Sequence, residues 1–204
     1  MAKCLVTGGC GFIGHHLVKQ LVSLGYQVVV WDNLSTGKKE RLPDGVELHV
    51  IDILYDELPN NDVDAVFHLA SPTSVSESII RPIKYENGCL DMTRLVFKWS
   101  VTNNVKYFTF SSTSAVYGES QNIPLSEELD ESPMSPYAKY KLLSEKYLNI
   151  FSENLDCQVS VMRFFNVFGE EQPSHGSYAP AVAKFMNQFE SGNPITVTGD
   201  GLQT

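Results

Sequence analysis

Short, mostly apolar runs alternate with amphipathic stretches along most of this chain. The runs are KCLVTG (3–8), QVVVWD (27–32), VELHVID (46–52), DAVFHLA (64–70), VKYFTFSS (105–112) and CQVSVMRFFNVFG (157–169). Their apolar residues occupy both faces, as in strands covered by helices on two sides. FIGHHLVKQLVSLG predicts a helix closed by Gly25, and helical spacing recurs at about 84–104 and 136–154. Strand and helix in turn predict an α/β fold, a doubly wound parallel sheet with right-handed crossovers, over residues 1–168. From 169 to 204 the texture changes to a loop (EEQPSHGSYAP), a helix (AVAKFMNQFESG) and a strand entering a turn (NPITVTGDG). These residues read as the incomplete start of a smaller domain.

Composition narrows the function. The chain is 43% hydrophobic and 19% charged, a globular balance, and its net charge of -9 disfavours nucleic acid and anionic membrane surfaces as partners. No apolar run approaches the roughly 20 residues of a membrane span. The N-terminal MAKCLVTGG lacks a signal-peptide layout. Cys4, Cys10, Cys89 and Cys157 are scattered, without metal-ligand spacing, and read as free thiols in a reducing cytoplasm; no metal site is expected.

The first strand runs into TGGCGFIG, where Gly9, Gly11 and Gly14 satisfy G-x-G-x-x-G and Gly8, Gly11 and Gly14 satisfy G-x-x-G-x-x-G. Between a strand and a helix, this pattern lets backbone amides reach a pyrophosphate and aims the positive helix end at it. Asp32 closes the second strand, 18 residues past Gly14, where a carboxylate accepts from ribose hydroxyls and repels an added phosphate. NAD is therefore expected rather than NADP. Asp52, after the third strand, fits either the adenine edge or a turn.

In SPYAKYK (135–141), Ser135 can cap a helix that Pro136 begins. Residues four apart share a face, so Tyr137 meets Lys141, Tyr140 meets Ser144 and Tyr147 meets Phe151. Only the first pair sets a phenol beside an ammonium. A charge about 4 Å away at an effective dielectric near 20 is worth roughly 4 kcal/mol, or about 3 pK units, which would bring a phenol toward neutrality. Tyr137 is thus the candidate acid–base and Lys141 its activator. Thr113, at the carboxyl end of the fifth strand, can bond the same substrate oxygen or simply cap a loop. His68 is expected buried at a strand end, and SEELDE (126–131) as a solvated acidic loop.

Together TGGCGFIG, DNLSTG, Asp52-Ile53, HLA (68–70), Ser78 with Pro82, FSSTSAVYGE, SPYAKYK and RFFNVFG resemble the extended short-chain dehydrogenase/reductase family, with its Rossmann fold, and within it the nucleotide-sugar epimerases of the UDP-glucose 4-epimerase type. The resemblance implies NAD held by Gly8, Gly11, Phe12, Ile13, Asp32, Asn33, Ser35, Thr36, Gly37, Asp52, Ile53, Leu69, Ala70, Ser71, Ser111, Tyr137, Lys141 and Phe165. It implies Thr113, Tyr137 and Lys141 as catalytic, and Ser78, Thr113 and Asn166 at a nucleotide-sugar, with a UDP-sugar expected. Related dehydratases carry Asp-Glu after the strand-end Thr, and decarboxylases a Glu two residues on. Here Ser114 and Ala115 follow Thr113, which favours 4-epimerisation through a keto sugar. A dehydratase or decarboxylase, or an NAD-binding remnant without turnover, are the alternatives. Cys89 and Met92 stand where the family usually has Asn and Gly, and the pattern continues past GDGLQT with an Arg-Asp pair, so truncation is expected. In relatives the helices near 84–104 and 136–154 form a homodimer interface.

Overall fold

The computed structural model describes residues 2–120, 123–152, 155–173, 181–197 and 199–201. The chain divides into two compact units, Met1–Phe165 and Asn166–Thr204.

The first unit holds six strands: β1 (Lys3–Thr7), β2 (Gln27–Asp32), β3 (Glu47–Val50), β4 (Ala65–His68), β5 (Tyr107–Thr113) and β6 (Gln158–Phe164). They form one sheet in the order β3-β2-β1-β4-β5-β6, and every pairing is parallel. Strand order reverses between β1 and β4, which opens a crevice at their carboxyl ends. The apolar runs sort as the period-2 geometry of a strand requires. Leu5, Val29, Trp31, Val66, Phe108 and Phe110 pack into one core with Val96 and Phe97. Cys4, Val6, Val28 and Val30 pack into the other with Val18 and Leu21. Burying each large apolar side chain contributes about 1.5–3 kcal/mol, so both faces of the sheet carry the fold. Trp31 lies edge-on to Trp99 with ring centroids 4.8 Å apart, and its indole N–H donates to Asn61 Oδ1 at 3.2 Å.

Helices α1 (Phe12–Ser23) and α5 (Pro136–Ser152) form where the sequence places them, and residues 153–154 lie outside the described residues. The helix expected at about 84–104 runs from 82 to 102 as α3 (Pro82–Tyr85), a π-helical segment (Glu86–Asp91) and α4 (Met92–Thr102), and an unexpected α2 (Val75–Ile80) precedes it. Pro82 separates α2 from α3, because it disfavours helical backbone at Arg81, which has φ -129° and ψ 60°. The wide π turn seats Gly88 against Pro72 and frees the Cys89 carbonyl, which accepts from Thr93 Oγ1 (2.6 Å) and Ser144 Oγ (3.1 Å).

The second unit contains α6 (Ala181–Glu190). The strand expected at NPITVTGDG does not form among the described residues. Thr196 N–H donates to Gln188 Oε1 at 3.1 Å, so a side chain replaces a ladder partner. The sixth strand likewise stops at Phe164, short of the expected Gly169, and residues 174–180 of the expected loop lie outside the described residues. No helix among the described residues is long and apolar enough to cross a membrane.

Candidate active site

The loop leaving β1 is shaped by close approach. Gly8 has φ +70° and donates its N–H to Trp31 O at 2.8 Å. A Cβ there would stand 2.8 Å from Ala70 N, on the far lip of the crevice. At Gly14 a Cβ would stand 2.1 Å from Gly8 O, so only glycine lets α1 begin directly beneath the loop. Phe12 and Ile13 form the first turn of α1, after the extended Gly11, and the helix end faces the loop.

Asp32, at the end of β2, is fixed rather than waiting in solvent. Its Oδ2 accepts from Cys10 N–H (2.9 Å) and its Oδ1 from Leu34 N–H (2.8 Å). A carboxylate has about four lone-pair sites, so the anchored group keeps acceptor capacity for ribose hydroxyls. Loop 33–38 folds back on the glycine loop: Asn33 Oδ1 accepts from Ser35 N–H, Thr36 follows, a Cβ on Gly37 would stand 2.7 Å from Cys10 Cβ, and Lys38 N–H donates to Cys10 O. A glycine cradle that any Cβ would fill, a helix end and a strand-end carboxylate together fit the adenosine and pyrophosphate of a dinucleotide.

Asp52 resolves toward a turn role. It accepts from Leu54 N–H at 3.0 Å and from Asn33 Nδ2 at 2.9 Å, linking the two loops expected at the adenosine. Ile53, expected at the adenine, is 5% exposed and its side chain belongs to the main core. Across the crevice, Leu69 N–H donates to Thr7 O and Ala70 N–H to Thr7 Oγ1. Ser71 Oγ bonds Pro72 O and meets Cys89 Sγ at 3.4 Å.

Beneath this lip runs a buried hydrogen-bond chain that the sequence does not announce. Thr93 gives its hydroxyl proton to Cys89 O, so it can only accept from His68 Nε2 at 3.2 Å. His68 Nδ1 therefore accepts from Thr7 Oγ1 at 2.7 Å, which in turn accepts from Ala70 N–H. Burial, and secondarily the Lys141 charge, push His68 down to about 3, so the ring is neutral as this pattern needs. The expected buried His68 is thus a strut for the lip.

The tyrosine–lysine helix starts as anticipated, with Ser135 Oγ accepting from Ala138 N–H at 3.2 Å. One turn after Tyr137, Lys141 is 3% exposed; its ammonium donates to Ser111 O at 2.7 Å and sits 4.7 Å above the Phe110 ring. Burial lowers the Lys141 pKa, while Cys89 and Glu145 raise it again. Ser111 Oγ donates to His68 O, so the ammonium, the end of β5 and the lip are joined. Thr113 ends the same strand; its Oγ1 accepts from Ala115 N–H at 3.2 Å, the loop-capping role, which leaves the hydroxyl proton to donate.

Tyr137 packs edge-on to Tyr85 with ring centroids 6.2 Å apart, and Tyr85 is fully buried. Burial, reinforced by its bond to Glu77, holds the Tyr85 phenol up at about 12, so it serves Tyr137 as a wall. Tyr85 is the one aromatic residue in PIKYENGCL (82–90), and nothing local in that stretch points it at Tyr137. Tyr140 meets Ser144 through its carbonyl, which accepts from Ser144 Oγ at 2.8 Å, while its phenol reaches Glu86 at 3.3 Å; Tyr147 meets Phe151 as its spacing requires, and Lys139 is exposed. Glu131, in the loop expected to be solvated, instead binds Arg163 at 3.0 Å. Ser78 is buried, its hydroxyl donating to Val75 O at 2.6 Å. Phe165, 58% exposed, ends the first unit, and Asn166 opens the second. All four cysteines are buried free thiols, and no group of metal-ligating side chains occurs among the described residues.

Known proteins are similar to this chain over nearly its whole length. The UDP-glucose 4-epimerase of Halalkalibacterium halodurans is 37% identical over 214 residues, which cover 98% of this chain and 63% of that enzyme. The solved UDP-N-acetylglucosamine 4-epimerase of Methanobrevibacter ruminantium M1, in complex with UDP-N-acetylmuramic acid, superposes with a TM-score of 0.94 at 38% identity, covering 99% of this chain and 67% of that one. The UDP-glucose 4-epimerase of Thermus thermophilus, complexed with NAD, gives a TM-score of 0.85 at 32% identity, over 95% and 64%. This chain spans between 44% and 67% of the length of the first curated relatives it matches. The profile of the NAD dependent epimerase/dehydratase family matches residues 4–204, and the chain belongs to that family.

Proposed function

We propose that this chain is the NAD-binding and catalytic portion of a nucleotide-sugar 4-epimerase. The observation that carries the reading is Lys141, a buried ammonium bound to the Ser111 carbonyl of β5, the strand that Thr113 ends, and one helical turn from Tyr137. Tyr137 takes the proton from the sugar hydroxyl at carbon 4 and later returns it. Lys141 favours the phenolate, and Thr113 donates a hydrogen bond to the same oxygen. NAD, which Gly8, Gly11 and Asp32 would hold, would supply a reversible hydride acceptor for carbon 4, so that the stereocentre could be re-formed with the opposite configuration. No residue beyond these is asked to move a proton. Ser114 and Ala115, which stand where dehydratases and decarboxylases of the resemblance carry acids, favour this reaction over elimination or decarboxylation.

A UDP-sugar is the substrate class, in keeping with what the relatives' names state, with Asn166 as a further contact; the expected contact at Ser78 is dropped, because that residue is fully buried and its hydroxyl is given to Val75 O. The segment from 169 to 204 is the start of the sugar-binding domain. The protein works in the cytoplasm, where four buried thiols stay reduced. It pairs as a homodimer through α4 and α5, whose Leu95, Leu143, Ile150 and Phe151 are exposed. Nucleic acid and membrane play no part.

The test is direct. The purified chain, offered UDP-glucose and UDP-N-acetylglucosamine in turn, is expected to yield a product of unchanged mass with inverted carbon 4, by mass spectrometry and proton NMR. Loss of water or carbon dioxide rejects epimerisation. Retained NAD with no product and no NADH absorbance leaves a nucleotide holder.

A further inference from the structure

One turn beyond Lys141 on the same helix lies a second buried charge that the reaction does not use. Glu145 is 3% exposed, equal to Lys141. Its carboxylate accepts a short bond from Ser112 Oγ and a paired grip from Arg163, with Nε at 3.2 and 3.1 Å and Nη2 at 2.7 Å. Arg163 also reaches Glu131 at 3.0 Å in the approach to α5 and lies 4.8 Å above the Tyr117 ring. Ser112 and Arg163 face each other in the sheet, as do Thr113 and Phe164.

Two buried side chains therefore fasten α5 to consecutive residues of β5: Lys141 to the Ser111 carbonyl and Glu145 to the Ser112 hydroxyl. The next residue of the strand is Thr113, and the preceding turn of the helix carries Tyr137. A helix held at two points one turn apart can neither slide nor roll against its strand. A buried ion pair costs desolvation that its attraction only partly offsets, so such a pair is a device for geometry rather than for stability.

We propose that Glu145, clamped by Arg163 and Ser112, is a positioning residue that sets Tyr137 and Lys141 against Thr113. The inference rests on the catalytic roles assigned above to Tyr137, Lys141 and Thr113. The charged and titratable groups around Lys141 are Tyr137 and Glu145 on α5, Cys89 on the π segment and His68 on β4, with Arg163 and Glu131 behind Glu145. Glu145 is the nearby carboxylate that supports the Lys141 charge against burial.

The experiment uses the chain purified with its NAD and labelled with 15N-lysine, the Lys141 ammonium signal being assigned by its loss in Lys141→Met. Glu145→Gln keeps the side-chain shape and removes the charge. The expected result is a Lys141 titration displaced downward by about 1 unit or more. With a UDP-sugar, kcat should fall about 10- to 100-fold while KM and NAD content stay within about twofold. An unmoved titration overturns the inference whatever happens to Tm, and so does a moved titration with unaltered kcat. If the parent chain does not turn over, the proposed function fails, and the titration alone decides the role of Glu145. If Glu145→Gln does not fold, Ser112→Ala, which leaves the ion pair and its charge in place, is read by turnover alone: kcat should fall with KM and NAD content held, and an unaltered kcat overturns the inference.

Discussion

In the proposed reaction Tyr137 and Lys141 share the work of proton transfer, the phenol moving the proton and the ammonium one helical turn on favouring its loss at neutral pH. Tyr137→Phe should lower turnover by about 10²- to 10⁴-fold with NAD content unchanged, measured by product formation and by cofactor released on denaturation. Gly14 is held by backbone rather than chemistry. The Cβ of Gly14→Ala would stand 2.1 Å from Gly8 O, so the variant should lose about 1–3 kcal/mol in urea unfolding and fail to retain NAD. His68 gives a pH signature. Its folded pKa of about 3 lies below its ordinary 6.5, so the folded state binds the proton less tightly than the unfolded chain. The stability from a neutral His68 is fully present above 6.5 and is lost as the pH falls toward 3. The urea midpoint should therefore drop between about pH 7 and 5, and His68→Gln should flatten that drop. The glycines, Asp32 and the Tyr–Lys spacing were legible because each depends on a few adjacent residues. The partners of His68 were not, since Thr7 and Thr93 lie 61 and 25 residues away.

Among the elements, α5 does the most. Its inner face carries Lys141 and Glu145 onto β5 and Ser144 onto the Cys89 carbonyl, while Leu143, Ile150 and Phe151 stay exposed. Arg94 of α4 lies 5.6 Å above the Tyr147 ring, so the two helices present a joined apolar face. For the homodimer proposed above, Leu143→Glu should yield a monomer in size-exclusion chromatography with light scattering, without loss of bound NAD. An unchanged mass removes α5 from the interface. The π segment inside the helix at 82–102 was only half legible. Pro82 signals a stop in any sequence, but a π turn follows from packing Gly88 on Pro72 and from the double use of the Cys89 carbonyl. That carbonyl also softens the consequence of Cys89 standing where relatives of the resemblance carry Asn. Backbone, through Thr93 and Ser144, ties the segment to β4 and α5.

For the molecule as a whole, the alternation of apolar strands and amphipathic helices determined the class of fold, because a parallel strand must be apolar on both faces to be covered twice. The same reading placed the nucleotide loop, because glycine at a strand-to-helix turn is demanded by local backbone geometry. Tertiary structure alone decided the order β3-β2-β1-β4-β5-β6, and with it that the Gly8 and Ala70 lips face each other. It also decided that residues 193–197 make no strand, since a strand exists only through the neighbour that accepts its hydrogen bonds. And it decided that Glu145, one charge among many on a helix, lies buried between Ser112 and Arg163, because burial belongs to contacts between distant segments rather than to any one of them.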